Sequence, residues 1–296
     1  MSPPAETPDP RTRYPQPPFE TQPQDFPGLS RDMSPEPNYG EDTYIGSGRL
    51  SGHVSLITGG DSGIGRAVAI AFAKEGSDIA LAYLEAEEED ARDVAASIER
   101  VGRRVLLLPG DIRDAAHCRA LVARTMAEFG RLDTLVNNAA FQHPRESLTE
   151  IDDEEWRRHF DTNCHAMFYI TKAALPHLKP GASIINTSSV NAKMPMPILI
   201  PYSMTKAAIA NFTVSLAGSL VEQGIRVNAV LPGPIWTPFI ATGMPAEEHK
   251  KFGSQAPMGR PGQPAELAGA YVYLADPNNS YTSGALLPVD GGMPIY

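Results

Sequence analysis

Tyr202 and Lys206 stand four residues apart in the segment Tyr202-Ser203-Met204-Thr205-Lys206. In a helix that spacing puts both side chains on one face, one turn apart. An ammonium held beside a phenol favours the phenolate and lowers a pKa that is otherwise about 10. The pair therefore suits an acid/base working near neutral pH. Tyr-x-x-x-Lys is also a loose pattern that ordinary surface helices show, so its meaning depends on its surroundings. A second chemistry-bearing stretch is Thr58-Gly59-Gly60-Asp61-Ser62-Gly63-Ile64-Gly65. Glycines let the backbone turn tightly and approach a ligand, and a helix starting there offers free N–H groups to a pyrophosphate. The glycines read G-x-x-x-G-x-G, and the Gly-Lys-Ser/Thr of a P-loop is missing. That argues against ATP or GTP and, between a strand and a helix, for a dinucleotide.

The elements that must position these residues follow from the hydrophobic pattern. Short apolar runs at 54–58, 78–83, 104–108, 134–136, 183–187, 226–230 and 285–289 read as strands. Between them apolar residues recur at helical spacing: Ile64, Val68, Ala71 and Phe72; Val94, Ile98 and Val101; Leu121, Val122 and Phe129; Trp156, Phe160 and Met167. Strand–helix alternation with strands apolar on both faces implies a doubly wound α/β fold, a parallel sheet of about seven strands covered on both sides. Ligands of such sheets bind beyond the strands' C-terminal ends.

Residues 1–48 differ from this 49–296 domain, holding 11 of the 28 prolines and few aliphatic side chains. Two readings compete for this arm: a floppy tail, or an arm lying across a neighbouring subunit, anchored by Tyr14, Phe19, Phe26 and Tyr44. The formal charge of −10 argues against nucleic acid, because phosphate binding needs clustered Lys and Arg. No run of about eighteen apolar residues predicts a membrane helix, and no apolar stretch near the start predicts a signal peptide. Cys118 and Cys164 lack metal-ligand spacing and read as core thiols of a reducing, cytoplasmic compartment. His143, His159 and His165 form no ligand set, and no metal is expected. The acidic run from Glu85 to Asp90 reads as a solvated loop and helix start.

Several motifs together carry a resemblance. Thr58-Gly59-x-x-x-Gly63-x-Gly65, Asn137-Asn138-Ala139, Ser189, Tyr202-x-x-x-Lys206, Pro232-Gly233-Pro234 and Asp290-Gly291-Gly292 resemble, in order, the short-chain dehydrogenase/reductase family. The match covers roughly residues 50–292, and the Pro-rich arm is similar to that of a stress-associated subgroup. The resemblance implies NAD or NADP as cofactor. It implies that Gly59, Ser62, Gly63, Ile64 and Gly65 hold the pyrophosphate, that Asp61 also lies at the cofactor, and that Asp111, with Ile112, meets the adenine. Asn137, Asn138 and Ala139 would line the ribose; for the two asparagines, bracing the sheet is an equal alternative. The motif ends in Ala140 where the family usually has Gly. Tyr83 and Leu84 stand where the family chooses between NAD and NADP; neither is charged, and Glu85 comes late, so that choice stays open. Pro232, Gly233, Ile235 and Thr237 match the turn that fixes the nicotinamide.

The same resemblance implies the catalytic roles. Ser189, thirteen residues before Tyr202, matches the family spacing better than its neighbour Ser188. Tyr202 would exchange a proton with the substrate oxygen and Ser189 donate a hydrogen bond to it. Lys206 would keep the tyrosine acidic and hold the ribose, and Asn163 would position a water feeding protons to Lys206. His143, Asn191, Trp236 and Phe239 are candidate substrate contacts, each also readable as packing or rim. Met194 and Met196 suggest an adaptable wall, and residues 238–259 a substrate lid. The implied activity is hydride transfer between a nicotinamide and a small alcohol or carbonyl compound, such as a sugar, polyol or aldehyde, by a homotetramer. A dinucleotide-binding redox sensor is the alternative; a structural protein would leave the glycine-rich turn unexplained.

Overall fold

The computed structural model describes residues 8–295. The chain alternates β1 (Val54–Thr58), α1 (Gly63–Lys74), β2 (Asp78–Tyr83), α2 (Glu88–Arg100), β3 (Val105–Pro109), α3 (Ala115–Phe129) and β4 (Thr134–Asn137). It continues with α4 (Asp153–Phe160), α5 (Ala166–Ala174), β5 (Ser183–Thr187), α6 (Ile200–Leu220), β6 (Arg226–Pro232), α7 (Pro238–Gly243), α8 (Ala246–His249), α9 (Pro264–Ala275) and β7 (Leu286–Val289). All seven strands are parallel, in the order β3-β2-β1-β4-β5-β6-β7. This is the Rossmann-like fold expected from the alternating pattern, in a single domain. The strand order reverses between β1 and β4, and the crevice at that switch is where such sheets bind ligands.

The two faces of the sheet bury separate cores. Ile57, Ile79 and Leu81 pack with the small-residue face of α1 and with Leu267 and Tyr271 of α9. Leu56, Ala80, Leu135 and Ile184 pack on the other face against Leu121, Ile170 and Leu220. Helix starts are set locally: the Asp114 and Asp152 carboxylates accept the N–H groups of Ala116 and Glu155, both at 2.7 Å.

Strand limits differ from the sequence reading where pairing decides them. β6 runs on to Pro232 because Leu231 and Pro232 pair with Pro288 and Val289. The single helix suggested by Trp156, Phe160 and Met167 is interrupted by a π-turn, Asp161–His165. By length and composition, Pro197–Gln223 could cross a bilayer, which the sequence reading did not anticipate. Its buried residues Ile209, Ala210, Thr213 and Ala217 belong instead to the packing of α6 on the domain.

Residues 8–48 pack on their own domain, through all four of the expected anchors. Phe19 stacks on Trp236 with ring centroids 4.2 Å apart. Phe26 meets Phe141 edge-on at 5.3 Å. The Arg260 guanidinium lies over Tyr14, and the Tyr44 hydroxyl donates to Glu75 at 2.6 Å. Phe19 and Met33 join Trp236, Ile240 and Phe252 in a third core, outside the sheet.

Candidate active site

A cavity of about 940 Å³ opens along the C-terminal ends of the strands. Gly59, Asp61, Ser62, Gly63 and Ile64 form one end of its wall. Gly59 and Gly63 have φ values of +61° and +51°, which side-chain-bearing residues rarely adopt. Gly65 lies behind the turn: a Cβ there would run into the Gly59 carbonyl oxygen and the Asn138 amide. The tight turn therefore sits directly on the N-terminus of α1, as a bound pyrophosphate requires. Its glycines and the length of the cavity fit an extended dinucleotide.

The β4 asparagines divide their work. Asn137 does not line this cavity; its amide donates to Thr171 Oγ1 at 3.1 Å and Asn186 Oδ1 at 2.9 Å, bracing the sheet. Asn138 lines the cavity and ties the two loops together, donating to the carbonyls of Thr58 and Gly59 at 3.1 and 3.0 Å. Ala139 and Ala140 also line it.

Beyond β2 the wall is acidic. Tyr83 and Leu84 are joined there by Glu87, whose carboxylate accepts the Leu84 N–H at 2.9 Å. Asp61 is buried with neither carboxylate oxygen hydrogen-bonded. Burial pushes both carboxyls above their ordinary range, and for Glu87 the charge of Asp61 adds to it. Asp90 is also buried and accepts the Ser30 N–H at 2.8 Å. The acidic run is thus only partly the solvated loop it resembles in sequence, because the arm and the crevice turn Glu87 and Asp90 inward. Asp111 and Ile112 line the same end, the Asp111 carboxylate gripping Arg113 at 2.6 Å.

Ser189, Tyr202 and Lys206 meet at the middle of the cavity. The Lys206 ammonium donates to the Thr187 carbonyl at 2.9 Å and lies 5.3 Å from the centre of the Tyr202 ring. Ser188 Oγ donates to the Lys206 carbonyl at 2.7 Å, which spends it on holding β5 to α6. Ser189 Oγ instead accepts the Asn191 N–H at 3.1 Å, leaving its own proton to donate. Burial pushes Tyr202 up to about 12, with a hydrogen bond from Ser189 working the other way. Burial likewise pulls Lys206 down to about 8. Burial thus sets the direction for Tyr202, and the influence opposing it comes from Ser189 and not, as expected, from the lysine.

Asn163 stands in the π-turn and does not reach the main cavity. Its side chain accepts the Phe141 N–H at 2.7 Å and donates to the Phe141 carbonyl and to Thr205 Oγ1, both at 2.9 Å. Thr205 in turn donates to the Tyr202 carbonyl at 2.7 Å. Asn163 thus links the loop after β4 to the helix that carries the tyrosine.

Pro232, Gly233, Ile235 and Thr237 line the far end of the cavity with Asn191, Met194, Met196, Phe239 and Met244. Two sequence candidates lie elsewhere. His143 is tied to Glu155 by a 3.0 Å contact from Nδ1, away from the cavity. Trp236 points behind the turn, donating from Nε1 to the Pro35 carbonyl at 2.8 Å under the arm. Alternation along the extended 235–237 segment explains it: Ile235 and Thr237 face the cavity, so Trp236 faces away. Sequence reasoning missed Phe26, Pro27, Glu87, Gln142 and Arg158, all on the cavity wall. Only Phe26 carried a signal, as a lone aromatic in a Pro-rich stretch. Among the described residues no cluster of His, Cys, Asp or Glu could hold a metal ion.

Comparison with known proteins agrees with this geometry. Residues 59–294 match the family model described as enoyl-(acyl carrier protein) reductase. General stress protein 39 of Bacillus subtilis is 50% identical over 266 residues, covering 90% of this chain and 93% of that protein. The chloroplastic NADPH-dependent aldehyde reductase 1 of Arabidopsis thaliana is 44% identical over 275 residues, 91% of this chain and 96% of that protein. A short-chain dehydrogenase from Burkholderia cenocepacia, solved in complex with NADP, superimposes with a TM-score of 0.78 at 32% identity, over 82% of this chain and 98% of that one. With relatives this similar over most of its length, and with the serine, tyrosine and lysine facing a glycine-rich turn, the chain belongs to the short-chain dehydrogenase/reductase family of oxidoreductases.

Proposed function

We propose that this protein is a nicotinamide-dependent carbonyl reductase or alcohol dehydrogenase with Tyr202 as its acid/base. The observation that carries the reading is the convergence of Ser189, Tyr202 and Lys206 on the cavity that begins at the glycine-rich turn. NAD or NADP would be held by residues 59–64, Asn138 and the turn from Pro232 to Thr237, and the nicotinamide supplies or accepts the hydride. Tyr202 then gives its proton to the substrate oxygen, and Ser189 donates a hydrogen bond to the charge developing there. With its pKa up at about 12, Tyr202 enters reduction already protonated at neutral pH. Asn163 acts through Thr205, keeping α6 and the loop after β4 in register.

Met194, Met196, Phe239, Met244 and Phe252 give the substrate end an apolar, adjustable wall. That suits an aldehyde or ketone with an apolar body better than a sugar or polyol, whose hydroxyls need a dense set of polar partners. Buried Asp61 in the turn after β1 and half-buried Glu87 beyond β2 favour NAD over NADP, since a 2′-phosphate would add charge beside two carboxyls that burial already pushes towards protonation. Exposed Phe168, Met204 and Val214 on α5 and α6 suit self-association through the long helices into a homotetramer.

Mixing the protein with NADH or NADPH and a panel of aldehydes, and following nicotinamide absorbance, tests the reading. Tyr202→Phe should lose at least about 10²-fold in kcat while still binding cofactor. Turnover left intact by that change would sink the assignment, and binding without turnover across the panel would favour the redox sensor.

A further inference from the structure

The wall of the cavity is not made by the Rossmann domain alone, because Phe26 and Pro27 of the arm line it together with the glycine-rich turn. The arm reaches that position through fixed contacts on both sides. On the lid side, Phe19 N–H donates to the Lys250 carbonyl at 3.1 Å and Gln24 N–H to the Ala241 carbonyl at 3.1 Å. Gly28 is pressed so closely against α7 that a Cβ there would strike Thr242 Cγ2, and its φ of +79° excludes most other residues. On the adenosine side, Ser30 N–H donates to the Asp90 carboxylate, and Arg31 pairs with Glu89.

Between these two attachments, Phe26 is held over the loop that follows β4. The Arg158 guanidinium carbon lies 4.5 Å from the centre of the Phe26 ring and 4.1 Å from that of Phe141. Phe141 follows directly on the Asn138, Ala139 and Ala140 stretch that lines the crevice. Residues 24–30 therefore cross from the lid to the start of α2 over the cavity that begins at the switch point.

We propose that residues 24–30 form the outer wall of the dinucleotide site, so that the cofactor is held between the sheet edge and the arm and leaves only when the arm lifts. The proposal rests on the dinucleotide reading above. It gives the Pro-rich segment a binding role within its own subunit: Phe26 and Pro27 supply apolar contact, and Arg158, packed against both Phe26 and Phe141, fixes the height of the strap. Retention of the cofactor, and not hydride transfer itself, is what the arm should control.

Stopped-flow displacement of NADH and of NADPH from the full chain tests this. Phe26→Ala removes the ring at a partly exposed position, and Gly28→Val forces the strap away from Thr242. Both should release cofactor about tenfold faster than the parent, with the Tyr202-dependent reduction step, read in single turnover, unchanged. Ile45→Ser, on an exposed part of the arm remote from the cavity, should release it at the parental rate. Bound NADH should also slow tryptic cleavage after the exposed Arg31 in the parent. Release within twofold of the parent for both strap variants, with melting temperatures preserved, would overturn the proposal. Failure of the parent to bind either dinucleotide would instead remove the reading on which it rests.

Discussion

Tyr202 and Lys206 are both buried, and burial works against the charged form of each. Lys206 falls from 10.5 to about 8. The folded state therefore binds fewer protons than the unfolded chain between about pH 8 and 10.5, and this group's contribution to stability rises with pH across that window. Below it, the protein carries the cost of a desolvated ammonium. Lys206→Met should thus raise the melting temperature most at pH 7, by up to roughly 3 kcal/mol of stability, with the gain shrinking towards pH 10; turnover should be lost. A gain that grew with pH in thermal scans would contradict the assignment. Asp61 has the opposite sign, since a carboxyl raised by burial costs more as pH rises through its folded pKa. Asp61→Asn should stabilise by about 1–3 kcal/mol at pH 9 and by less at pH 5. It should also raise affinity for NADPH relative to NADH, measured by fluorescence titration; an unchanged ratio would mean that this wall does not read the 2′ position.

The elements show which parts of the chain speak locally and which do not. Strands such as Val54–Thr58 and Asp78–Tyr83 were legible because they are apolar on both faces and end at turn residues. The glycine-rich turn was legible because Gly59 and Gly63 need left-handed backbone there. The partners of Asn137 and Asn163 were not, because they are set by strand and helix neighbours far along the chain, Asn186 and Thr205. Nor was the direction of Trp236, which depends on an arm some two hundred residues earlier. The root of that arm shows the same non-local logic. Glu75, just past α1, accepts the Tyr44 hydroxyl at 2.6 Å and the N–H groups of Ser47 and Arg49 at 2.8 and 3.0 Å. Burial alone would raise its pKa, but these donors outweigh it and hold Glu75 below the usual carboxylate range. Its contribution is therefore full above the unfolded pKa and is lost as pH falls through the folded one. Glu75→Ala should cost about 2–3 kcal/mol at pH 7 and less at pH 3, by chemical denaturation; an equal cost at both would exclude an ionic latch.

Of the buried clusters among the described residues, two clasp the sheet, a small one closes its β6 end, and another joins the arm to residues 236–252. This third core, which holds the arm, includes no strand of the sheet, so its loss need not unfold the others. Phe19 supplies the stack on Trp236, and Arg260, nearly fully buried, grips Glu266 at 2.8 Å through two nitrogens while donating to the Pro10 carbonyl at 2.9 Å. Truncating a buried aromatic costs about 3–5 kcal/mol when the core around it cannot collapse. Here the arm can peel away, so Phe19→Ala should cost less in global stability than in local order. Hydrogen exchange should then accelerate in residues 19–35 and 238–252 together, while amides of β1, β4 and β5 keep parental protection. If residues 238–252 act as a lid and 24–30 as the proposed strap, substrate KM should rise and cofactor release quicken together, since both hang on the same stack. If the two segments exchanged independently, arm and lid would be separate devices that merely touch. If the sheet lost protection with them, the third core would be part of the global fold and could not open to exchange cofactor without unfolding the protein.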